Sequence, residues 1–251
     1  YASNAYFDPG LPEVRAYIAQ GVAEIAARYD VKGIVFDDYF YPYPVYDEYG
    51  QAMTFDDSAS FRSNKNGMDL DDWRRSNVNA LVKTCYEAVK DADTDCVFGI
   101  SPFGIWKNDD GTGNGSDTNG LEAYHALYCD ATAWARGGYV DFIAPQLYWT
   151  CDSEIASFLT LAEWWNRQLA DSGVTLYISH GLYQYGNWQT PGEITRQIAA
   201  ARSKSAFRGS IFYGYGALVR NDFGAADELS QLYAKALFYS ADAPENETPS
   251  D

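Results

Sequence analysis

The sequence predicts an α/β fold of the (β/α) barrel type, in which parallel strands alternate with helices. Three observations support this prediction. Segments with a helical spacing of apolar residues alternate with short apolar runs, as expected for parallel strands joined by helical crossovers. These runs end in aromatic or polar residues followed by loops that are often long, which is typical of the active end of a barrel. No run leads into the Gly-rich phosphate-binding turn that marks many open doubly wound sheets.

The elements follow one another in a regular order. The first predicted helix begins near Pro12, and its apolar residues recur at spacings of three and four up to Tyr29. The first strand, 33–36, is an apolar run without alternation, which indicates a strand covered on both faces. A polar insertion rich in Tyr and Asp continues to about Gly67. The pattern then repeats four times, with predicted helices at 71–90, 121–136, 154–171 and 193–203, strands at 97–101, 140–148, 176–180 and 210–215, and a last helix at 225–238.

Composition excludes several classes of function. The 251 residues include 18 Lys and Arg against 35 Asp and Glu, a formal net charge of −17, so nucleic acid is not expected as a partner. No segment approaches the roughly 20 apolar residues that span a bilayer, and we predict no membrane insertion. There are two histidines and no C-x-x-C pair, so we predict neither a metal site nor a cofactor. The four cysteines allow two disulfides or four free thiols.

The first strand ends in two adjacent carboxylates, Asp37 and Asp38. Partial desolvation and mutual repulsion raise one pKa of such a pair, so that one group stays protonated beside an ionised neighbour, as glycoside hydrolysis requires. Alternatively, one Asp faces the mouth of the barrel while the other caps the next turn or binds an Arg.

Aromatic and polar residues near the strand ends are candidates for substrate binding, because the flat C–H faces of sugars stack on aromatic rings. The same aromatic side chains are also suited to a buried core. For Arg74 and Arg75 the alternative to gripping a carboxylate is a pair with Asp71 or Asp72, and for His180 it is a structural hydrogen bond. The loop 108–120 is interpreted as a flexible lid, because its oxygen ligands lack the spacing of a calcium loop. The predicted substrate-binding residues are Tyr39, Tyr41, Trp73, Arg74, Arg75, Ser101, Phe103, Trp106, Gln146, Trp149, His180, Tyr183 and Tyr213.

Five segments carry a resemblance to a known family. They are 7–42 (FDPGLPEVR to DDYFYP), 73–83 (WRRSNVNALVK), 98–108 (FGISPFGIWKN), 140–149 (VDFIAPQLYW) and 211–218 (IFYGYGAL). Together they resemble the glycosyl-hydrolase-like 10 family, whose members are bacterial TIM-barrel proteins that are usually exported. In that family the first of these segments lies just before and within the fourth barrel strand. The resemblance therefore implies that 1–240 carries barrel strands four to eight and that an N-terminal segment or a second chain completes the barrel. Composition alone predicts that 241–251 is a disordered acidic tail or linker, because this segment contains Pro and no large apolar residue.

The resemblance also implies a function. It points to a glycoside hydrolase, secreted or associated with the cell envelope, acting on a glycan with N-acetylated sugars such as peptide-free peptidoglycan. In a chitinase-like scheme an acid on the fourth strand protonates the leaving oxygen, the substrate's N-acetyl group attacks, and Tyr148 orients that group. Asp38 is favoured as the acid, with Asp37 as its charge partner or as the nucleophile.

Two alternatives stay open. An α-amylase-like retaining hydrolase of an α-glucan needs a second carboxylate about 5 Å from Asp37, for which Asp109, Asp110 or Glu122 are the candidates. The other alternative is a carbohydrate-binding protein without turnover.

Overall fold

A computed structural model describes residues 4–241. Within this part of the chain, five strands form one parallel sheet whose spatial order follows the chain order. The predicted acidic tail lies outside the described residues, apart from residue 241, which ends the last helix. The strands are β1 (Gly33–Phe36), β2 (Val97–Ile100), β3 (Phe142–Ile143), β4 (Thr175–Gly181) and β5 (Phe207–Tyr213).

Helices connect the strands, as expected for right-handed parallel crossovers. The long helices begin with recognisable caps: α1 has Pro12 in its first turn, and the carboxylate of Asp69 accepts a hydrogen bond from the Asp72 amide at 2.8 Å to start α3. The helices are α1 (Pro12–Arg28), α2 (Ser58–Asn64), α3 (Leu70–Ala92), α4 (Ala123–Ala126), α5 (Ala131–Gly137), α6 (Phe158–Leu169), α7 (Tyr185–Trp188), α8 (Glu193–Arg202), α9 (Tyr215–Arg220) and α10 (Ala225–Ala241), with 3₁₀ turns at Leu182–Gln184 and Asp222–Gly224.

The structure departs most clearly from the predicted elements at two places. The helix predicted over 121–136 is two short helices, because Tyr128 between them takes a positive φ of 56° and Asp130 caps α5 with its side chain. The strand predicted over 140–148 keeps only two residues in the ladder. Pro145 has no N–H to donate, and beyond it the chain continues as isolated bridges from Gln146 to Phe103 and Ser179.

The two faces of the sheet have different environments. On one face, strand residues such as Phe98, Ile143 and Ile178 belong to the same buried cluster as apolar residues of α3, α5 and α6. On the other face Val35 is 50% exposed and Ile211 is 37% exposed. Among the described residues β1 pairs only with β2, and β5 pairs only with β4. The sheet is therefore a five-stranded half-barrel, which confirms the predicted fold class.

The remaining global predictions concern cysteines and membranes. The four cysteines Cys85, Cys96, Cys129 and Cys151 are all buried free thiols. Between residues 4 and 241, none of the helices combines the length and the apolar character needed to cross a bilayer.

Candidate active site

A cavity of about 1060 Å³ lies over the exposed face of the sheet, at the carboxyl ends of the strands. This volume is at the upper end of the range for small-molecule sites. Every strand or its following loop contributes to the wall, because the carboxyl ends of parallel strands meet at one edge. The predicted site residues that line it are Asp37, Tyr39, Ser101, Phe103, Gln146, Tyr148, Trp149, Tyr183 and Tyr213.

Asp37 is held in place at the end of β1. Its Oδ1 accepts hydrogen bonds from the side-chain amide of Gln146 at 2.7 Å and from the backbone N–H of Asp38 at 2.9 Å. The Gln146 amide also donates to the carbonyl of Ser101 at 2.8 Å, which fixes the amide between β1 and β2. The Asp37 carboxylate therefore has a defined position in the cavity wall.

Asp38 lies on the other side of the chain and is only 1% exposed. Adjacent residues of an extended chain point in opposite directions, so two neighbouring carboxylates do not both face the cavity. Asp38 Oδ2 accepts a hydrogen bond of 2.5 Å from the hydroxyl of Tyr43, which does line the cavity. Burial raises the pKa of Asp38 to about 7, and the nearby charge of Asp37 acts in the same direction. Of the two acids, Asp37 therefore faces the cavity and Asp38 does not.

Aromatic rings form two walls of the cavity. Tyr148 and Tyr213 are stacked with centroids 5.9 Å apart, and Tyr183 meets both rings edge-on at 5.6 and 5.7 Å. On the other wall Phe103 meets Trp149 edge-on at 5.5 Å. Both arrangements leave ring surface toward the cavity, which suits the apolar faces of sugars.

The Tyr148 hydroxyl also has a defined partner. It lies 3.0 Å from the hydroxyl of Ser179, and burial raises the pKa of Tyr148 above its ordinary value, so the hydroxyl keeps its proton at neutral pH. A Cβ at Gly181 would lie 3.0 Å from the Tyr148 ring, so glycine at this position gives the ring room to lie over β4.

Other predicted residues lie outside the cavity, and the largest group surrounds Arg74. This guanidinium is buried and binds the Asp57 carboxylate through two hydrogen bonds of 2.7 and 2.8 Å. It also donates to the Tyr128 hydroxyl at 2.7 Å and lies over the ring of Tyr41. Tyr41 and Trp73 are buried as well, and Trp73 packs on Phe61. The prediction that Tyr41, Trp73 and Arg74 reach the mouth is wrong, because all three are buried where the insertion after β1 packs on α3.

Arg75 and Trp106 also bind protein groups. Arg75 pairs with Asp72 at 2.6 Å, which is the alternative that the sequence left open, and it donates to the carbonyl of Tyr124 at 3.2 Å. The indole N–H of Trp106 donates to Asp130 at 3.1 Å, and its ring stacks on Trp164.

His180 is fully buried on the helix-facing side of β4. Its Nδ1 lies 2.9 Å from Gln197 Oε1 and its Nε2 lies 2.9 Å from the hydroxyl of Ser210. Burial lowers the pKa of His180 to about 4, so the imidazole is neutral at pH 7. The structural alternative for His180 is therefore the one that the geometry supports.

The candidates for a second carboxylate do not line the cavity. Glu122 Oε1 accepts hydrogen bonds from the backbone and the side chain of Asn108, and Asp109 and Asp110 bind the backbone of the loop 108–120. Among the described residues that line the cavity, Asp37 is the single acid.

The predicted site residues omit several polar residues of the cavity wall, among them Tyr43, Ser179, Gln184 and Arg220. Strand alternation supplies a signal for Ser179, because it lies two residues after Tyr177 and before Gly181 on the same face of β4. Tyr43 and Gln184 lie in loops, and Arg220 ends a short helix, where no period indicates the direction of the side chain.

Comparison with known proteins identifies the family. The sequence matches the family described as glycosyl hydrolase-like 10 over residues 2–191. The chain belongs to this family. It is 38% identical over 247 residues to glycosyl hydrolase YngK of Bacillus subtilis (strain 168), an alignment that covers 94% of this chain and 47% of YngK. It is 32% identical over 217 residues to glycosyl hydrolase DigH of Escherichia coli (strain K12), covering 82% of this chain and 48% of DigH. The chain thus spans about half the length of these relatives.

A solved structure supports the fold of this glycosyl hydrolase-like 10 member. The glycoside hydrolase domain of PgaB (BpsB) from Bordetella bronchiseptica aligns with a TM-score of 0.52 at 12% identity, covering 88% of this chain and 63% of that domain. At this identity the likeness shows the fold alone. The family resemblance noted in the sequence is therefore confirmed.

Proposed function

We propose that this protein hydrolyses a bacterial envelope polysaccharide of N-acetylated sugars, with peptide-free peptidoglycan as the substrate class. The observation that carries the proposal is that the carboxylate of Asp37, the hydroxyl of Tyr148 and the aromatic walls face one cavity at the strand ends. Such a substrate lies outside the cytoplasm, so the proposal includes an extracytoplasmic site of action.

The proposed acid is the Asp37–Asp38 pair rather than either residue alone. Asp38 has a pKa of about 7 and is in contact with Asp37, so below that pH the pair holds a proton close to the cavity. Asp37 is the member that faces the cavity and would pass this proton to the glycosidic oxygen. This assignment differs from the order favoured from the sequence, because the carboxyl of Asp38 is buried.

The proposed nucleophile is the substrate's own acetamido group. A two-carboxylate retaining mechanism places its acids about 5 Å apart, and the described cavity wall offers a single acid. As the bond between the anomeric carbon and the leaving oxygen breaks, the acetamido carbonyl oxygen attacks that carbon and forms an oxazolinium ion. Water then opens this ring and returns a proton to Asp37. The Tyr148 hydroxyl, held near Ser179, is suited to orient the acetamido group before the attack.

The test measures the reducing ends released from peptide-free peptidoglycan, N-acetylated chitin oligosaccharides and an α-glucan. We expect release from the N-acetylated glycans, and we expect Asp37→Asn to lower kcat by about 10²- to 10⁴-fold, the range for removal of a general acid. Asp30→Asn is the matched control, because Asp30 is an exposed carboxylate that pairs with Lys32 before β1. Asp38→Asn should lower the rate most below pH 7, where the wild-type pair holds its proton.

Each outcome of the test bears on a different part of the proposal. Unchanged activity in Asp37→Asn would remove the pair from the mechanism, and release from the α-glucan alone would favour the retaining alternative. Binding of N-acetylated glycans without release would favour the carbohydrate-binding alternative. Light scattering under the assay conditions reports whether a second copy of the chain binds. We propose that an N-terminal segment or a second chain completes the sheet at β1 and β5, the edge strands among the described residues.

A further inference from the structure

Arg220 places a cation in the wall of a cavity that otherwise carries one charged side chain. Among the described residues that line the cavity, Asp37 and Arg220 are the charged ones. Arg220 ends α9, and its side chain is 65% exposed.

Hydrogen bonds to Asp222 hold the guanidinium of Arg220 and leave one of its amino groups available to a ligand. Its Nε donates to Asp222 Oδ1 at 3.2 Å and its Nη2 donates to Asp222 Oδ2 at 2.7 Å, a two-point pair along one edge. Arginine has five N–H donors, so the Nη1 amino group still has its protons to offer. A Cβ at Gly216 would lie 3.0 Å from Nη1, and Gly216 itself lines the cavity. Glycine at this position therefore lets the guanidinium lie against the cavity wall.

Asp37 and Arg220 follow different strands of the sheet. Asp37 follows β1 and Arg220 ends the helix that follows β5, and β1 and β5 are the two edge strands of the described sheet. A ligand in the cavity can therefore meet Asp37 from the β1 side and Arg220 from the β5 side.

We infer that Arg220 is a specificity-determining residue that binds a carboxylate carried by a sugar of the substrate. The inference rests on the proposed function and deepens it, because it distinguishes acidic N-acetylated glycans from neutral ones. One arginine with a single free amino group suits one carboxylate per repeat, whereas the net negative charge of the chain opposes a densely anionic polymer. Such a carboxylate has two chemical sources, a lactyl ether on an N-acetylated sugar and a uronic acid.

The test is calorimetric binding of defined tetrasaccharides to chains that all carry Asp37→Asn, so that the ligands are not cleaved during the titration; wild type here means the chain with Arg220 and Asp222 intact. The four ligands are a peptide-free peptidoglycan tetrasaccharide with lactyl carboxylates, the same molecule with those carboxylates converted to amides, neutral N-acetylated chitotetraose, and a tetrasaccharide that alternates N-acetylglucosamine with glucuronic acid. In wild type we expect the acid to bind about fivefold to tenfold more tightly than its amide, the gain from a charge-assisted hydrogen bond. Preference for the lactyl acid or for the uronic acid identifies the source of the carboxylate.

Three variants separate recognition from structure. Arg220→Gln should bring the ratio of acid to amide affinity close to one, while Arg208→Gln, which removes an exposed arginine of β5 outside the cavity wall, should keep the wild-type ratio. Asp222→Asn removes the competing carboxylate and should raise the ratio about twofold or more. A purely structural Arg220–Asp222 pair predicts instead that Arg220→Gln and Asp222→Asn change binding in the same direction.

The outcomes distinguish this inference from the proposed function. Equal binding of acid and amide by wild type would overturn the inference and leave the proposed function standing. Absence of binding to every N-acetylated tetrasaccharide would overturn both. Added salt should reduce the preference for the acid, because the Arg220 side chain is exposed to solvent.

Discussion

Two polar clusters lie on opposite faces of the sheet near the carboxyl ends of its strands. They differ in whether their hydrogen-bonded side chains also face a cavity that a ligand could enter. In the cavity cluster, Gln146 binds Asp37 and Tyr148 lies against Ser179, and all four side chains also face a space of about 1060 Å³. In the helix-side cluster the polar groups bind one another in a buried volume. Its members are His180, Gln197, Ser210 and Glu193.

The comparison shows that residue type at a strand end does not by itself indicate a site. Ser179 and His180 are neighbours in β4, yet the first lines the cavity and the second packs between Phe158 and Phe212. The alternation of the strand determines the difference, as it does for Asp37 and Asp38. A candidate active-site residue must therefore lie at the carboxyl end of a strand, and its side chain must lie on the cavity face of the sheet.

The largest loss of stability expected from a substitution outside the cavity concerns the buried ion pair between Arg74 and Asp57. Its side chains are 7% and 3% exposed. Arg74→Met would leave the Asp57 carboxylate buried without its partner, and we expect the free energy of unfolding to fall by about 3–5 kcal/mol. Denaturant unfolding measures this change. Arg196→Met is the control, because the Arg196–Asp152 pair is 45% and 71% exposed and should change the free energy of unfolding much less. Equal effects of the two substitutions would contradict the internal role of Arg74.

The two clusters also show which features of the fold and of the site could be predicted from the sequence. The strand 33–36 and the helix that begins at residue 193 were predicted nearly to the residue, because the local apolar pattern and the signals at their ends determine them.

The same reasoning failed at Tyr128, whose positive φ breaks a helix, and after Pro145, which interrupts a strand. It also placed Arg74 at the mouth, because the folding of the insertion over α3 depends on contacts distant in sequence. Asp37 and Gln146 were predicted from strand ends, and Tyr148 was predicted from the chitinase-like scheme. Arg220 was not predicted, because its position depends on where α9 lies relative to the sheet.

The second prediction concerns the pH dependence of stability. The folded-state pKa of His180 is lowered to about 4 from an ordinary value of 6.5, so between these pH values the unfolded chain binds a proton that the native imidazole does not. Stability from this residue is present above pH 6.5 and is lost as the pH falls toward 4. We expect the difference in unfolding free energy between wild type and His180→Gln to shift by about 3 kcal/mol across this window, at 1.36 kcal/mol per pKa unit. A difference that stays constant from pH 7 to pH 4 would show that the imidazole is not held neutral by burial.

The smallest expected effect tests the cavity cluster at a single hydroxyl. Tyr148→Phe removes the group that faces Ser179 and keeps the ring that stacks on Tyr213. If the hydroxyl orients the acetamido group for attack, kcat on an N-acetylated glycan should fall about tenfold, or about 1.4 kcal/mol, while KM changes less than twofold because sugar stacking is retained. Tyr185→Phe is the matched control, since its hydroxyl binds Glu228 and the Gly192 amide and does not line the cavity. We expect that control to reduce stability and leave kcat unchanged. A change in KM alone for Tyr148→Phe would assign the residue to binding and would require another group to orient the acetamido oxygen.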